Sequence, residues 1–559
     1  MGCQQTFKPF AQRVSHATQI AFLGGCLLWG SKVGAATFIV NDPADSTSVR
    51  SLRGAILAAN ATPDRFHVIF LTEPTYKLSL EGIDEDRGRT GDLDISCPNL
   101  TIIGRREKTT INGSDLGDRI LQVHPGAKVV LRQLVFYGGK AFGGDYANSS
   151  HVDGEAGGAI YNAGNLTLRD CNLMGNTSGA GGVLLGNGPG GVGGPGGGIY
   201  NRAVLTLERC LLRGNSSGPA TVSSFGGAGG AVYNDETGTC VLTDCNFDAN
   251  SSGAAGPASI GDGSGGTGGD GGALFNAGKM LVRGCTITGN HTAAGTDGIL
   301  PGWVGPFSLG GPGGKAGNGA GIFNSGRLRV VLSTVSRNFG GSGGNGGNAY
   351  MGGPGGIGGS GAGIYNSGRL SLDSCTLCEN RCGPGGAPGI NFFASGSFPG
   401  TGGSGGGVMS LESGVVQLRN TLIARNAYGP GGAPLPQTNG LPPAPDGQGS
   451  DLFGQFTSQG YNLIGKVDGS TGVAAGTNGD QAGSASEPID PLLGPLAENG
   501  GRTPTHALLP GSPAIDSGKS FGRRKDQRGS QRPYDFKTTP KAPGGDKADI
   551  GSFELHPYD

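Results

Sequence analysis

One unit recurs along this chain. GAGIYNSGRLSLDSCTLCEN, Gly361 to Asn380, returns as GGAIYNAGNLTLRDCNLMGN (Gly157 to Asn176), GGGIYNRAVLTLERCLLRGN (Gly196 to Asn215) and GGALFNAGKMLVRGCTITGN (Gly271 to Asn290). Looser copies start at Gly229, Gly319 and Gly405. The two fixed Asn positions lie 14 residues apart in five copies and 16 apart in the copy from Asn234 to Asn250. A fixed period over this much chain restricts the fold to a repeat architecture.

Within the unit, apolar residues alternate in short runs: Ile364, then Leu370 and Leu372, then Cys375 and Leu377. Period two marks strands, and helical spacing is absent. Asn-Ser-Gly and Asp-Ser between the runs tolerate turns. Three strands and three turns make one coil of a parallel β-solenoid. A single coil cannot bury its apolar face, so copies must stack about 4.8 Å apart.

Stacking places equivalent residues in columns. One slot holds Cys171, Cys210, Cys245, Cys285 and Cys375, with Ser333 and Thr421 in two other copies. Another holds Asn162, Asn201, Asn234, Asn276, Asn324 and Asn366. An Asn column forms an amide ladder that satisfies turn backbone groups, a structural role. Neighbouring thiols can pair or stay as small buried apolar groups, and the extra cysteines Cys240, Cys378 and Cys382 leave the pairing open.

Of 559 residues 117 are Gly and only 15% are charged, against roughly a quarter in an ordinary domain. A net charge of −1 gives no argument for nucleic acid or an acidic membrane surface. Residues 1–36 read as an export leader: Lys8 and Arg13, an apolar run from Ile20 to Trp29 too short for a membrane span, then Gly34-Ala35-Ala36. Leu23-Gly24-Gly25-Cys26 offers the alternative of a lipidated Cys26.

From 37 to 140 the chain predicts a cap helix, SLRGAILAAN (Ser51 to Asn60), and the first coils. From 141 to 429 it predicts the repeat body, whose units are followed by Gly-rich insertions of 13 (Ser216 to Ala228) to 28 residues (His291 to Asn318). These insertions are either flexible loops on one side of the rod or extended polyglycine-like strands packed into a binding face. Residues 430–448 read as a Pro/Gly-rich linker or loop, and 449–559 as the last coils and a C-terminal cap module.

The ends and the unit carry a family resemblance. SLRGAILAAN, followed by GDLDI and NLTIIG, is similar to the N-terminal CSLREA module. SPAID…DQRG…RP…DIGSFE resembles the C-terminal module of choice-of-anchor exported bacterial proteins, and the G-G-[AG]-I-[YF]-N units resemble repeats of polymorphic outer-membrane proteins. The resemblance implies an exported right-handed parallel β-helix and brings no catalytic residues. The motif here reads Arg50-Ser51-Leu52-Arg53-Gly54-Ala55, without its Cys and Glu.

Sites of known chemistry are sparse. Cys375-Thr-Leu-Cys378 has no second CxxC, and the seven His lack HxxxH or HExxH spacing. Asp84, Asp86, Asp92 and Asp94 form an oxygen-rich stretch able to hold calcium, though its spacing misses an EF-hand. Trp303 and Phe307, in the longest insertion, are candidates to stack on a sugar. Outward charges such as Arg169, Asp170, Glu208, Arg209, Asp244, Arg329 and Asp373 read as a solvated face with cross-coil pairs.

The expectation is therefore an exported or cell-surface, non-enzymatic scaffold or adhesin-like rod. It predicts no catalytic or cofactor-binding residue, and a carbohydrate or matrix-protein partner rather than nucleic acid or a membrane span. The alternative is a β-helix that binds or cleaves polysaccharide. The oligomeric state is left open.

Overall fold

A computed structural model describes residues 35–63, 65–82, 85–144, 153–183, 190–302, 308–390, 397–434, 443–536, 542–557 and 559. Three sheets of 12, 11 and 12 strands run the length of the molecule. Face A runs from strand Ala35–Val40 to Thr457–Ser458, face B from Thr75–Lys77 to Gln481–Ala482, and face C from Leu93–Ile95 to Ser470–Thr471. Each strand pairs in parallel with its counterpart in the next coil; Leu205, for example, lies between Leu166 and Cys240. The chain is a right-handed parallel β-helix, the hand that parallel crossovers take.

The alternation decides which side chains fill it. In the coil from Ile160 to Met174, Ile160, Leu166, Leu168, Cys171 and Leu173 are fully buried while Tyr161, Thr167 and Arg169 face out. Each buried Leu or Ile contributes about 1.5–3 kcal/mol, and stacking makes the gain repeat every coil. The turn between faces A and B needs a left-handed residue, supplied by Asp170 (φ 55), Arg209 (φ 53), Asp244 (φ 53) and Ser374 (φ 56) in their coils.

Columns hold the corners. Asn162 donates through Nδ2 to Asn201 Oδ1 at 2.7 Å, and the chain continues through Asn234, Asn276, Asn324 and Asn366 at 2.7–2.8 Å. A second ladder runs through Asn176, Asn215, Asn250, Asn290, Asn338, Asn380 and Asn426 and ends on Asp451. The slot after the left-handed residue wants a small donor: Cys171, Cys210, Cys245 and Cys285 each point Sγ at the carbonyl two residues back, 3.2–3.4 Å away. Ser333 and Thr421 make the same bond through oxygen, at 2.8 and 2.9 Å. All nine described cysteines are free and buried. On face C the outward rings of Tyr161, Tyr200, Tyr233, Phe275, Phe323 and Tyr365 stack with centroids 4.5–5.3 Å apart.

The described parts of the Gly-rich insertions are hydrogen-bonded to one another, which supports packed extended strands over loose loops. Each leaves the B–C corner as an outgoing arm, returns antiparallel, and bonds with a three-residue period, the repeat of polyproline II-type backbone. Gly343 and Gly346 donate to Pro384 and Ala387 of the next outgoing arm, and Gly344 and Gly347 donate to Gly314 and Gly311 of the preceding return arm. Gly353, Gly356 and Gly359 close back on Gly347, Gly344 and Gly341. Two residues in three are therefore enclosed: a Cβ on Gly344 would sit 2.0 Å from the Thr296 carbonyl, and one on Gly383 1.6 Å from that of Gly341. The third residues, Ser342, Asn345, Pro354 and Ile357, are exposed. The described ends of the segment read as a linker continue this pattern, Gly432 donating to Gly400 and Gly447 to Gly429.

Helix Leu52–Asn60 closes the N-terminal end. Ser51 caps it by accepting from Gly54 N at 3.2 Å, and Leu52, Ala55, Ile56 and Ala59 join the solenoid core. Gly54 admits no side chain, because a Cβ there would lie 1.9 Å from the Ser48 carbonyl. The C-terminal module, by contrast, lies on the flank. Its Leu493, Leu508, Ala514, Ile515, Ile550 and Phe553 bury the outward side chains Cys378, Leu422, Ala424 and Leu463 of face B in a second core. Arg532 and Glu554 pair at 3.1 Å inside that module, both fully buried.

Candidate functional site

The outward side of face A is a cationic floor. Over eight successive strands, from Lys128–Arg132 to Val415–Arg419, the outward positions carry Lys128, Arg132, Arg169, Lys279, Arg283, Arg327, Arg329, Arg369 and Arg419 against the carboxylates Glu208 and Asp373. The strand register stacks them: Lys279 lies beside Arg327, and Arg327 beside Arg369. Half-buried Val241 and Leu281 supply apolar ground between the charges. Lys279, Arg327, Arg329 and Arg369 line a hollow of about 410 Å³ with them.

A wall rises beside this floor. The segment Phe521 to Lys525 of the C-terminal module brings Arg523, Arg524 and Lys525 alongside Arg283, Arg329 and Arg419 around a second hollow of about 540 Å³. A third of about 500 Å³, toward Arg502 and Asp244, shares Arg283 and Lys525 with it. The first and second hollows share Arg329, so the three follow one another along the floor as a groove. Charges of one sign along a low-dielectric cleft focus the field and concentrate counter-ions in it.

Asp373 holds the wall to the floor. Its carboxylate takes Arg523 Nε at 3.0 Å, the Arg419 guanidinium, and Arg329 at 3.6 Å. Burial alone would raise this carboxyl; the hydrogen bonds from Arg523 and Arg419 overcome that and hold it at about 2. Arg419 also lies 4.9 Å over the Phe521 ring, fixing the tip of the wall. The other floor carboxylate, Glu208, is bound to Arg169 at 2.8 Å.

The residues singled out from the sequence fall elsewhere. Trp303, Phe307 and Asp84 lie outside the described residues. Asp86 and Asp94 meet His124 and Gln122 near the N-terminal end of face C. Asp92 turns away from them, to Arg119 at 3.3 Å, and burial holds its carboxyl well above the usual range. The two columns, Asn162 to Asn366 and Cys171 to Cys375, are buried and make the corner bonds described above. Of the charged residues read as a solvated face, Arg169 with Glu208 and Arg209 with Asp170 do form cross-coil pairs. Arg329 likewise pairs with Asp373 of the next coil, whereas Lys279, Arg327 and Arg369 stack cation beside cation. They are one strip, and the sequence signal for it was a basic residue at the first strand position in three successive repeats.

No protein-family model matches the chain, and no curated protein matches it. Among solved structures it is similar to a pectate lyase, Pel9A, at 13% identity and a TM-score of 0.32, covering 94% of this chain and 98% of that one. A rhamnogalacturonan lyase follows at 12% identity and 0.27, covering 85% and 96%. Tailspike protein 3 of bacteriophage CBA120 stands at 12% identity and 0.24, covering 77% and 58%. Scores of this size carry no argument about the chain, whose fold rests on its own sheet register.

Proposed function

We propose that this protein binds an acidic polysaccharide along face A. The observation that carries the reading is the strip Lys279–Arg327–Arg369 with the Arg523-Arg524-Lys525 wall beside it. Guanidiniums present a planar fork that matches carboxylate and sulfate groups, and repeated coils offer them at a regular rise, as a polymer offers its acidic groups. Aliphatic ground between the cations gives the sugar rings an apolar contact without base-stacking aromatics, which favours a uronate or sulfated glycan over single-stranded nucleic acid. The ligand thus lies on the sheet face rather than on the Gly-rich arms.

Binding is preferred over hydrolytic cleavage. Glycoside hydrolysis needs two free carboxyl groups across the scissile bond. Both floor carboxylates are committed, Glu208 to Arg169 and Asp373 to three guanidiniums that keep it ionised and occupied. The exported, surface-associated setting expected from the leader fits such a ligand and is part of the proposal. Retention of the purified protein on immobilised polygalacturonate, alginate and neutral dextran, read together with release of unsaturated or reducing ends, tests it. The reading expects retention on the acidic polymers alone and no released ends; retention on dextran, or product release, contradicts it.

A further inference from the structure

A second cluster, independent of the groove, sits at the N-terminal end of face C. Asp94 belongs to strand Leu93–Ile95, and the strand register sets Gln122 directly beside it, with His124 two residues on. His124 Nε2 approaches Asp94 Oδ1 to 2.6 Å, and Gln122 Nε2 reaches Asp86 Oδ1 at 3.2 Å and His124 Nε2 at 3.4 Å. The ligand atoms of Asp86, Asp94 and His124 all lie within 4.8 Å of one another. Asp94 is only 2% exposed, and its Oδ2 has no hydrogen-bond partner among the described residues. A buried carboxylate oxygen with no partner is expensive to keep, and a cation is one of the few groups that resolves it.

The loop that carries Asp86 is built to stay in place. Glu85 accepts the N–H groups of Arg87, Arg89 and Thr90 at 2.6–3.2 Å. From beneath, the Arg53 guanidinium donates to the carbonyls of Gly88, Gly91 and Asp92 at 2.7–3.0 Å while pairing with Asp45. Gly88 has φ +69, and a Cβ on it would come within 3.1 Å of Asp94 N, so the loop lies directly on Asp94. The neighbouring carboxylates Asp92, Asp118 and Glu155 are engaged by Arg119, which leaves Asp86 and Asp94 as two negative charges facing the imidazole.

We propose that Asp86, Asp94 and His124 bind one divalent transition-metal ion such as zinc or manganese. Two carboxylates balance the dication. An imidazole nitrogen in the set selects a transition metal over calcium, which takes oxygen ligands. Ligands about 2.0–2.2 Å from one ion stand at most about 4.4 Å apart, so only small closure of the cluster is needed. The ion ties the loop over the cap helix to the first two coils of face C, at strands Leu93–Ile95 and Leu121–Val123, stapling the N-terminal end of the solenoid.

Calorimetric titration of the chelator-treated protein with zinc, manganese and calcium, alongside thermal melts, is the test. The proposal expects one zinc or manganese ion per chain at micromolar concentration, calcium at least about 10-fold weaker, and a melting temperature raised by the bound ion. His124→Ala and the exposed-site variant Asp86→Ala each lower the affinity about 10-fold or more and cancel the melting shift, with the circular dichroism spectrum unchanged. No saturable zinc or manganese binding overturns it. So does binding that both variants retain, or calcium binding tighter than zinc.

Discussion

Arg523 donates through Nε to Asp373 Oδ1 at 3.0 Å across 150 residues of sequence. This contact fastens the C-terminal module to the A–B corner of a central coil and sets the height of the groove wall. Three guanidiniums converge on this one carboxylate, so its removal leaves mutually repelling cations as well as an undocked segment. Breaking one side of a buried ion pair costs about 3–5 kcal/mol. Asp373→Asn is therefore expected to lower stability by about that amount in urea unfolding and to expose the module to limited proteolysis before the solenoid.

The same contact sets an acid limit. Asp373 titrates at about 2 in the folded chain, below the ordinary carboxylate value near 4. A depressed carboxyl contributes stability that is complete above the unfolded value and is lost as pH falls through the folded one. The stability difference between the wild type and Asp373→Asn is expected to be constant above about pH 5, to shrink from pH 4 downward and to be largely gone near pH 2. A difference that instead grows on acidification removes Asp373 as the anchor.

The cysteine slot answers the question of pairing. Cys245 N donates to Cys285 Sγ at 3.4 Å, and each thiol in the column serves a carbonyl of its own corner, a job Ser333 and Thr421 do with oxygen. Burial pushes the thiols of Cys375, Cys378 and Cys382 up to about 12, so almost no thiolate exists at neutral pH. Iodoacetamide is expected to leave the nine described cysteines of the native solenoid unlabelled and to label all nine after denaturation without reductant. Mass spectrometry showing any pair linked contradicts this.

The Gly-rich arms predict a sharp positional contrast. Gly344→Ala forces a Cβ against the Thr296 carbonyl and is expected to cost about 1–3 kcal/mol, as overpacking does. Asn345→Ala, one residue on and exposed, is expected to change stability by less than about 0.5 kcal/mol. Hydrogen exchange provides the readout: amides of Gly344, Gly347 and Gly356 exchange slowly in the wild type and fast in Gly344→Ala. Fast exchange of these amides in the wild type returns the arms to flexible loops.

The solenoid was legible because its signals are local. Alternation at Leu370 and Leu372 and the recurring Asn366 each sit within one copy of the unit and repeat in the next. The arms were half legible. Gly composition suggested looseness, while the three-residue spacing in GGSGGNGGN held the packing signal that composition concealed. The groove was not legible, because Arg327 and Arg369 meet only through strand register and Arg523 only through the module on the flank. A net charge of −1 averages that strip against acidic turns elsewhere. The pairing of Asp94 with His124 was hidden for the same reason: the acidic stretch was visible, its imidazole partner 30 residues away was not.

The measurement that bears most directly on the groove is the affinity for polygalacturonate of the wild type and Arg327→Ala/Arg369→Ala across a salt series. The account predicts binding that weakens steeply with salt, because surface charges are screened within about 10 Å at 0.1 M. It predicts an affinity at least about 10-fold lower in the double variant, roughly 1.4 kcal/mol, with a shallower salt slope and an unchanged melting temperature. Equal affinity of the two proteins, or wild-type binding indifferent to salt, contradicts the assignment of face A as the binding surface.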